Sequence, residues 1–294
     1  MEYILPKKIA KGSTIGIVAL SGALESEDYV LRGVKKLEEL GFSVKLSEHL
    51  FDKKRYLAGE DEIRASELER FFEDPDINCI LCARGGYGAI RILDKINYEL
   101  IKANPKAFCG YSDITAFSAM LLKKAGLITY SAPMLCGDFG AEEVSDFTIE
   151  NFLKAIQGEL LEFEVNGDSQ LSAQGIAWGG NLTTLASLCG RDFIPKTEFV
   201  LFVEDVNEPL YKLDRCLAQL AVISDFKQNI RGIVTGDFTG LDNYNWALGD
   251  LLGEYAGVLE APLWQGLKWG HEREKVTIPI GRNCLITGNK ITFL

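Results

Sequence analysis

The sequence predicts an α/β fold: an N-terminal domain built on a mostly parallel sheet, followed by a smaller C-terminal domain of mixed α/β type. Two observations carry this. Short apolar runs rich in β-branched residues alternate with segments of helical periodicity as far as about residue 132, which is the order of βαβ units. Beyond that point glycines and acidic residues take over, and a mixture of strand-like and helical stretches follows.

Thr14-Ile15-Gly16-Ile17-Val18-Ala19-Leu20 reads as a buried parallel strand, and Glu25 to Leu40 places its apolar residues at helical spacing. Gly41 ends that helix, and Phe42 to Leu46 alternates as a second strand. Glu60 to Phe72 is an amphipathic helix stopped near Pro75. Cys79 to Ala83 is a third strand, leading through Arg84-Gly85-Gly86-Tyr87-Gly88 into an apolar helix over Ala89 to Leu93. Ala107 to Gly110 is the next strand and Asp113 to Lys124 the next helix. Right-handed crossovers between such strands give a flavodoxin-like or Rossmann-like sheet covered on both faces, assigned to residues 1–135. Residues 136–172, with one helix from Phe147 to Ile156, read as a linker. In 173–294, strands are expected at Gly175 to Trp178, Phe199 to Val203, Gly232 to Thr235, Val276 to Ile280, Cys284 to Ile286 and Lys290 to Phe293. Helices are expected at Asn181 to Leu188 and Pro209 to Ile223.

Composition narrows the function classes. With 294 residues, 47% hydrophobic and 25% charged, the chain can bury one or two cores. A net charge of −11 and a pI near 4.9 speak against nucleic acid as a partner, because phosphate contacts need clustered Lys and Arg. No apolar run approaches a bilayer-spanning length, and Met1-Glu2-Tyr3 lacks the order of a secretory signal, so a cytoplasmic protein without a membrane partner is expected. Seven scattered cysteines fit reduced thiols. Cys79-x-x-Cys82 lies in a strand, where positions three apart face opposite ways. The two histidines, His49 and His271, have no partner at ligand spacing, so neither a metal nor a cofactor is expected.

Ligands of open α/β sheets gather beyond the carboxyl ends of the strands, where the loops Arg84 to Gly88 and Gly110 to Asp113 should share one crevice. In Gly110-Tyr111-Ser112-Asp113 a strand turns sharply into a helix. Such a turn exposes the Ser112 hydroxyl beside backbone N–H groups able to stabilise negative charge, which suits a nucleophile. The same residues are also ordinary helix caps. Nucleotide signatures fail: Gly86-Tyr87-Gly88-Ala89-Ile90-Arg91 lacks a third glycine, and in Gly190 to Thr197 Pro195 replaces the phosphate-binding glycine. A serine nucleophile needs a base and an orienting acid. His271, between a glycine-bearing loop and a strand, is the better placed of the two histidines, although a lone histidine is more often structural. Glu204, at the end of the apolar strand Leu201-Phe202-Val203, is costly to bury unpaired and so is a candidate acid; the competing reading is that Glu204 or Asp205 simply leads into the helix containing Pro209.

These residues resemble the serine peptidases that include the cytoplasmic murein LD-carboxypeptidases and the microcin C self-immunity hydrolases. The likeness runs along nearly the whole chain in islands. It takes in Tyr56-Leu57-Ala58-Gly59, with Asp61-Glu62, Arg64-Ala65 and Asp74-Pro75, running into Ala83 to Gly88, and then Gly110 to Thr115 and Trp178 to Leu182. Further islands are Glu204-Asp205 with Glu208-Pro209, Tyr211 and Asp214-Arg215, and Gly270-His271 with Thr277 to Gly281. Leu20 and Arg191 depart from the family pattern, where proline and threonine are usual. The resemblance implies a catalytic triad of Ser112, Glu204 and His271 assembled across two domains, with an oxyanion hole from the backbone N–H groups of Asp113 and Gly86. It further implies a homodimer, and release of terminal D-alanine from murein tetrapeptides during cell-wall recycling. Arg84 is a candidate for the substrate carboxylate. Within the same chemistry, the competing substrate is a peptidyl or aminoacyl sulfamoyl adenylate, on whose adenine Trp178 or Trp269 would stack. The competitor from another class is a non-catalytic nucleotide or small-ligand binding protein using the Arg84 to Gly88 loop.

Overall fold

Residues 3–241 and 245–294 are described by a computed structural model of the chain, and Met1 and Glu2, read above for a leader sequence, lie outside the described residues. The first part lays down β1 (Thr14–Val18), α1 (Glu27–Glu39), β2 (Ser43–Leu46), α2 (Asp61–Glu73), β3 (Cys79–Cys82), α3 (Tyr98–Ala103), β4 (Ala107–Cys109), α4 (Thr115–Met120) and β5 (Thr129–Ser131). Ser26 caps α1 by accepting the Asp28 N–H, and α1 turns Val30, Gly33 and Leu37 inward at helical spacing. β3 is buried at every position, as befits a central parallel strand covered on both faces.

The stretch read as a linker is structured. It holds a π-helical turn at Leu135–Phe139, then α5 (Asp146–Ile156) and β6 (Glu162–Glu164). Phe152 of α5 packs its ring against Phe139 at 5.2 Å. Next come β7 (Ser172–Asn181), α6 (Leu182–Ala186), β8 (Phe199–Val206), α7 (Leu210–Ala221), α8 (Ser224–Asn229), β9 (Ile230–Thr239), α9 (Leu248–Leu259), β10 (Leu263–Trp264), β11 (Ile278–Ile280), β12 (Asn283–Thr287) and β13 (Lys290–Phe293).

Two sheets result, giving a mixed α/β architecture. The first runs β11-β5-β4-β3-β1-β2, with β1 to β5 parallel. The second runs β10-β9-β8-β7-β12-β13-β6, with a parallel half from β7 to β10 and an antiparallel half from β12 to β6. The sequence reading placed residues 276–280 with the C-terminal domain, but β11 crosses over and pairs antiparallel with β5, covering an edge that would otherwise stand open. The expected helix at Ala89 to Leu93 is instead two 3-10 turns, Ala89–Arg91 and Leu93–Lys95. The α-helix starts only at Tyr98, where the Asn97 side chain caps it by accepting the Leu100 N–H. Among the described residues no helix is long and apolar enough to cross a membrane.

Candidate active site

β4 ends at Cys109, and past Gly110 the chain turns so sharply that Ser112, which opens the 3-10 turn leading into α4, takes a left-handed φ of +62°. For a residue with a Cβ this conformation costs about 1–2 kcal/mol, strain that clusters at functional turns. The turn is braced from behind. The buried Asp113 carboxylate accepts the Ala89 N–H at 2.8 Å, tying the glycine loop after β3 to the serine turn. Burial pushes the Asp113 carboxyl above its ordinary value, while hydrogen bonding with Ser21, then with the Ala89 backbone, opposes the rise. Gly85 lies so close that a Cβ there would sit 2.9 Å from Ser112 Cβ and 3.1 Å from Ser112 Oγ.

Glu204 sits near the end of β8, opposite Asn181 of β7, with its side chain buried. Its Oε2 receives the Nδ1–H of His271 at 2.7 Å, which leaves Nε2 as the basic nitrogen of the ring. Burial is the larger influence on Glu204 and pushes its carboxyl up; the bond to His271 opposes this. Gly270 has a φ of +144°, and a Cβ there would meet Glu204 Oε2 at 3.2 Å, so a glycine lets the loop bring His271 against the strand. Beside this pair, burial, then the charges of Glu272 and Glu204, push Asp237 of β9 up to about 6.

Ser112 and His271 line one crevice of about 600 Å³, together with Tyr111, Arg84, Gly85 and Gly86. No hydrogen bond joins Ser112 to His271 among the described residues; catalytic hydrogen bonds often tighten only around substrate. Tyr111 meets the His271 ring edge-on, with centroids 5.0 Å apart. A larger groove of about 1100 Å³ between α5 and β6 contains none of these groups, so chemistry rather than volume singles out the crevice.

Of the residues expected from sequence, Glu204 and His271 are bonded, and Ser112, Gly86 and Arg84 share their crevice or its wall. Arg84 is already engaged, donating to Ala23 O at 3.0 Å and to Glu25 at 2.7 Å. Trp178 is a correction: it is 0% exposed and packs edge-on against Phe199 and Phe226 in the core, so it cannot touch a ligand. Its apolar bulk outweighs its place beside a glycine pair. Trp269 is buried too, donating its indole N–H to Ser131 Oγ. Sequence reasoning did not single out Tyr111, Asp138, Asp237 or Lys275, which stand around the serine turn and the Glu204–His271 pair. Lys275 ends the charged run His271-Glu272-Arg273-Glu274-Lys275, which in sequence looks like a solvated loop.

A two-sheet α/β frame sets a buried carboxylate–imidazole pair on the same crevice as a strained serine turn, and the family match places the chain in the peptidase class of hydrolases. The chain belongs to the LD-carboxypeptidase family: residues 15–132 match the LD-carboxypeptidase N-terminal domain and residues 174–286 its C-terminal domain. It is 33% identical over 290 residues to a probable murein peptide carboxypeptidase of Bacillus subtilis, covering 94% of this chain and 89% of that one. Among solved structures it resembles an MccF-like protein from Bacillus anthracis (TM-score 0.90, 29% identity, 99% of both chains). It also resembles a muramoyltetrapeptide carboxypeptidase from Oxalobacter formigenes (TM-score 0.86, 28% identity, 96% of this chain and 98% of that one).

Proposed function

We propose that this protein is a serine-type LD-carboxypeptidase that removes the terminal D-alanine of murein tetrapeptides, cutting after the L-centre of the diamino acid. The supporting observation is the Glu204–His271 hydrogen bond facing the crevice onto which strained Ser112 opens. In this reading His271 Nε2 takes the Ser112 proton as Oγ attacks the amide carbonyl, and Glu204 stabilises the imidazolium. The backbone N–H groups of Asp113 and Gly86 receive the oxyanion, worth about 3 kcal/mol per donor. The imidazolium then protonates the departing D-alanine amine. Water, activated by the same histidine, releases the tripeptide from Ser112. Arg84 lines the crevice and is assigned the terminal carboxylate. The enzyme would act as a homodimer in the cytoplasm, on cell-wall fragments returned for reuse.

Likeness to an MccF-like structure favours a second reading, hydrolysis of aminoacyl sulfamoyl adenylates, but burial of Trp178 and Trp269 removes the stacking surface expected for it. Incubation with murein tetrapeptide and with an aminoacyl sulfamoyl adenylate, followed by mass spectrometry, tests the assignment. Tripeptide and D-alanine are the expected products. Ser112→Ala should lower turnover at least ~1000-fold while its melting temperature stays near that of the unaltered protein. Tetrapeptide turnover undiminished in that variant removes Ser112 from the mechanism. Nucleotide binding with no hydrolysis would favour the binding-protein alternative.

A further inference from the structure

The nucleophile and the base come from opposite halves of the chain, and their relative position has to be fixed across the boundary between the two sheets. One cluster on that boundary takes no part in the chemistry described above. The Lys275 side chain is almost fully buried. Its ammonium lies 2.6 Å from Asp138 Oδ1, donates to the Tyr111 hydroxyl at 3.1 Å and sits 4.4 Å above the Tyr111 ring centroid. Tyr111 immediately precedes Ser112 and touches the His271 ring. Asp138 is itself held, accepting the Met134 N–H at 2.8 Å.

The same loop is fastened to α5. Lys275 N–H donates to Thr148 Oγ1 at 3.0 Å, and the Thr148 hydroxyl donates to Arg273 O at 2.9 Å. Burial holds the Tyr111 phenol in its neutral form, so it remains an acceptor for the ammonium. A buried ion pair is a poor source of stability compared with apolar packing, and its best use is to fix one geometry.

We propose that Lys275 is a positioning residue whose ammonium, bound by Asp138 and Tyr111, locks the His271 loop in register with the serine turn. The inference rests on the serine-hydrolase reading. The charged and titratable groups that face His271 are Glu204 on β8, Asp237 on β9, Glu272, Arg273 and Lys275 on its own loop, Asp138 on the Leu135–Phe139 turn and Tyr111 beside Ser112.

An alkyl fluorophosphonate, which reacts with a histidine-activated serine whatever the natural substrate, separates the two claims. Absence of Ser112 labelling in the unaltered protein, read by intact mass, overturns the serine-hydrolase reading itself. Given labelling, the double variant Lys275→Met with Asp138→Asn buries no lone charge and should be labelled at least fivefold more slowly; a smaller loss overturns the lock. Tyr111→Phe deletes only the oxygen that Lys275 binds, and at an unchanged melting temperature it should slow labelling at least twofold. Unchanged labelling there also overturns the proposal. The single variants add a readout that mere loss of structure would not give. Lys275→Met leaves the Asp138 anion and should move the midpoint of the labelling–pH profile up, whereas Asp138→Asn leaves the ammonium and should move it down. Shifts in the same direction, or none, count against the lock.

Discussion

Two side chains in this site occupy states that an isolated residue avoids: Ser112 with its left-handed backbone, and Asp237 with a carboxyl raised to about 6. Both conditions are imposed by neighbours, the first by the abrupt passage from β4 into α4, the second by burial next to Glu272 and Glu204. The Asp237 shift has a consequence for stability. The folded protein holds this proton more tightly than the unfolded chain, whose carboxyl titrates near 3.8. Stability is therefore lost as pH rises from about 3.8 through about 6, and the full penalty stands above that window. Allowing for solvent screening of a half-buried group, the penalty is about 1 kcal/mol. Asp237→Asn should accordingly melt about 2 °C higher than the unaltered protein at pH 8, with the gap closing towards pH 4. Scanning fluorimetry at the two pH values checks this, and a variant that is less stable at pH 8 refutes it.

At the scale of elements, the glycine loop after β3 and the turn after β4 act as one unit. The Asp113–Ala89 hydrogen bond joins them, and Gly85 leaves the serine hydroxyl its space. Gly85→Ala would set a methyl group against Ser112 Cβ and Oγ at about 3 Å, closer than such atoms tolerate. The backbone φ at Gly85 is not left-handed, so the strain falls on the serine rather than on the loop. The expected result is a tenfold or greater fall in kcat with a melting temperature lowered by only a few degrees. Full activity in Gly85→Ala would mean that the loop retreats freely. Both loops were legible in sequence because a strand, a glycine and a helix follow one another within a few residues. The two 3-10 turns at 89–95 were not, because apolar periodicity over five residues cannot separate a helix from a pair of turns.

For the molecule as a whole, β11 matters most, since a strand from residues 278–280 completes the sheet built by residues 14–131. The two sheets should therefore unfold together. Trp178, Trp246 and Trp264 lie in the second half of the sequence and their fluorescence follows that half, Trp269 also senses β5 through Ser131, and far-ultraviolet circular dichroism follows both sheets. Coincident thermal midpoints from the two probes are expected, and midpoints several degrees apart would show that β11 does not couple the sheets. The sequence by itself determined the alternation of strands and helices, because periodicity is written locally. It brought Ser112, Glu204 and His271 forward only through motifs spread along nearly the whole chain, since the few residues around each equally suit a helix cap, a lead into a helix or a structural histidine. Only the tertiary structure decided that Trp178 is core, that residues 136–172 are folded, and that Lys275 reaches Asp138 and Tyr111. These depend on contacts between segments more than a hundred residues apart, or on which face of a strand meets the core, and short-range pattern carries no record of either.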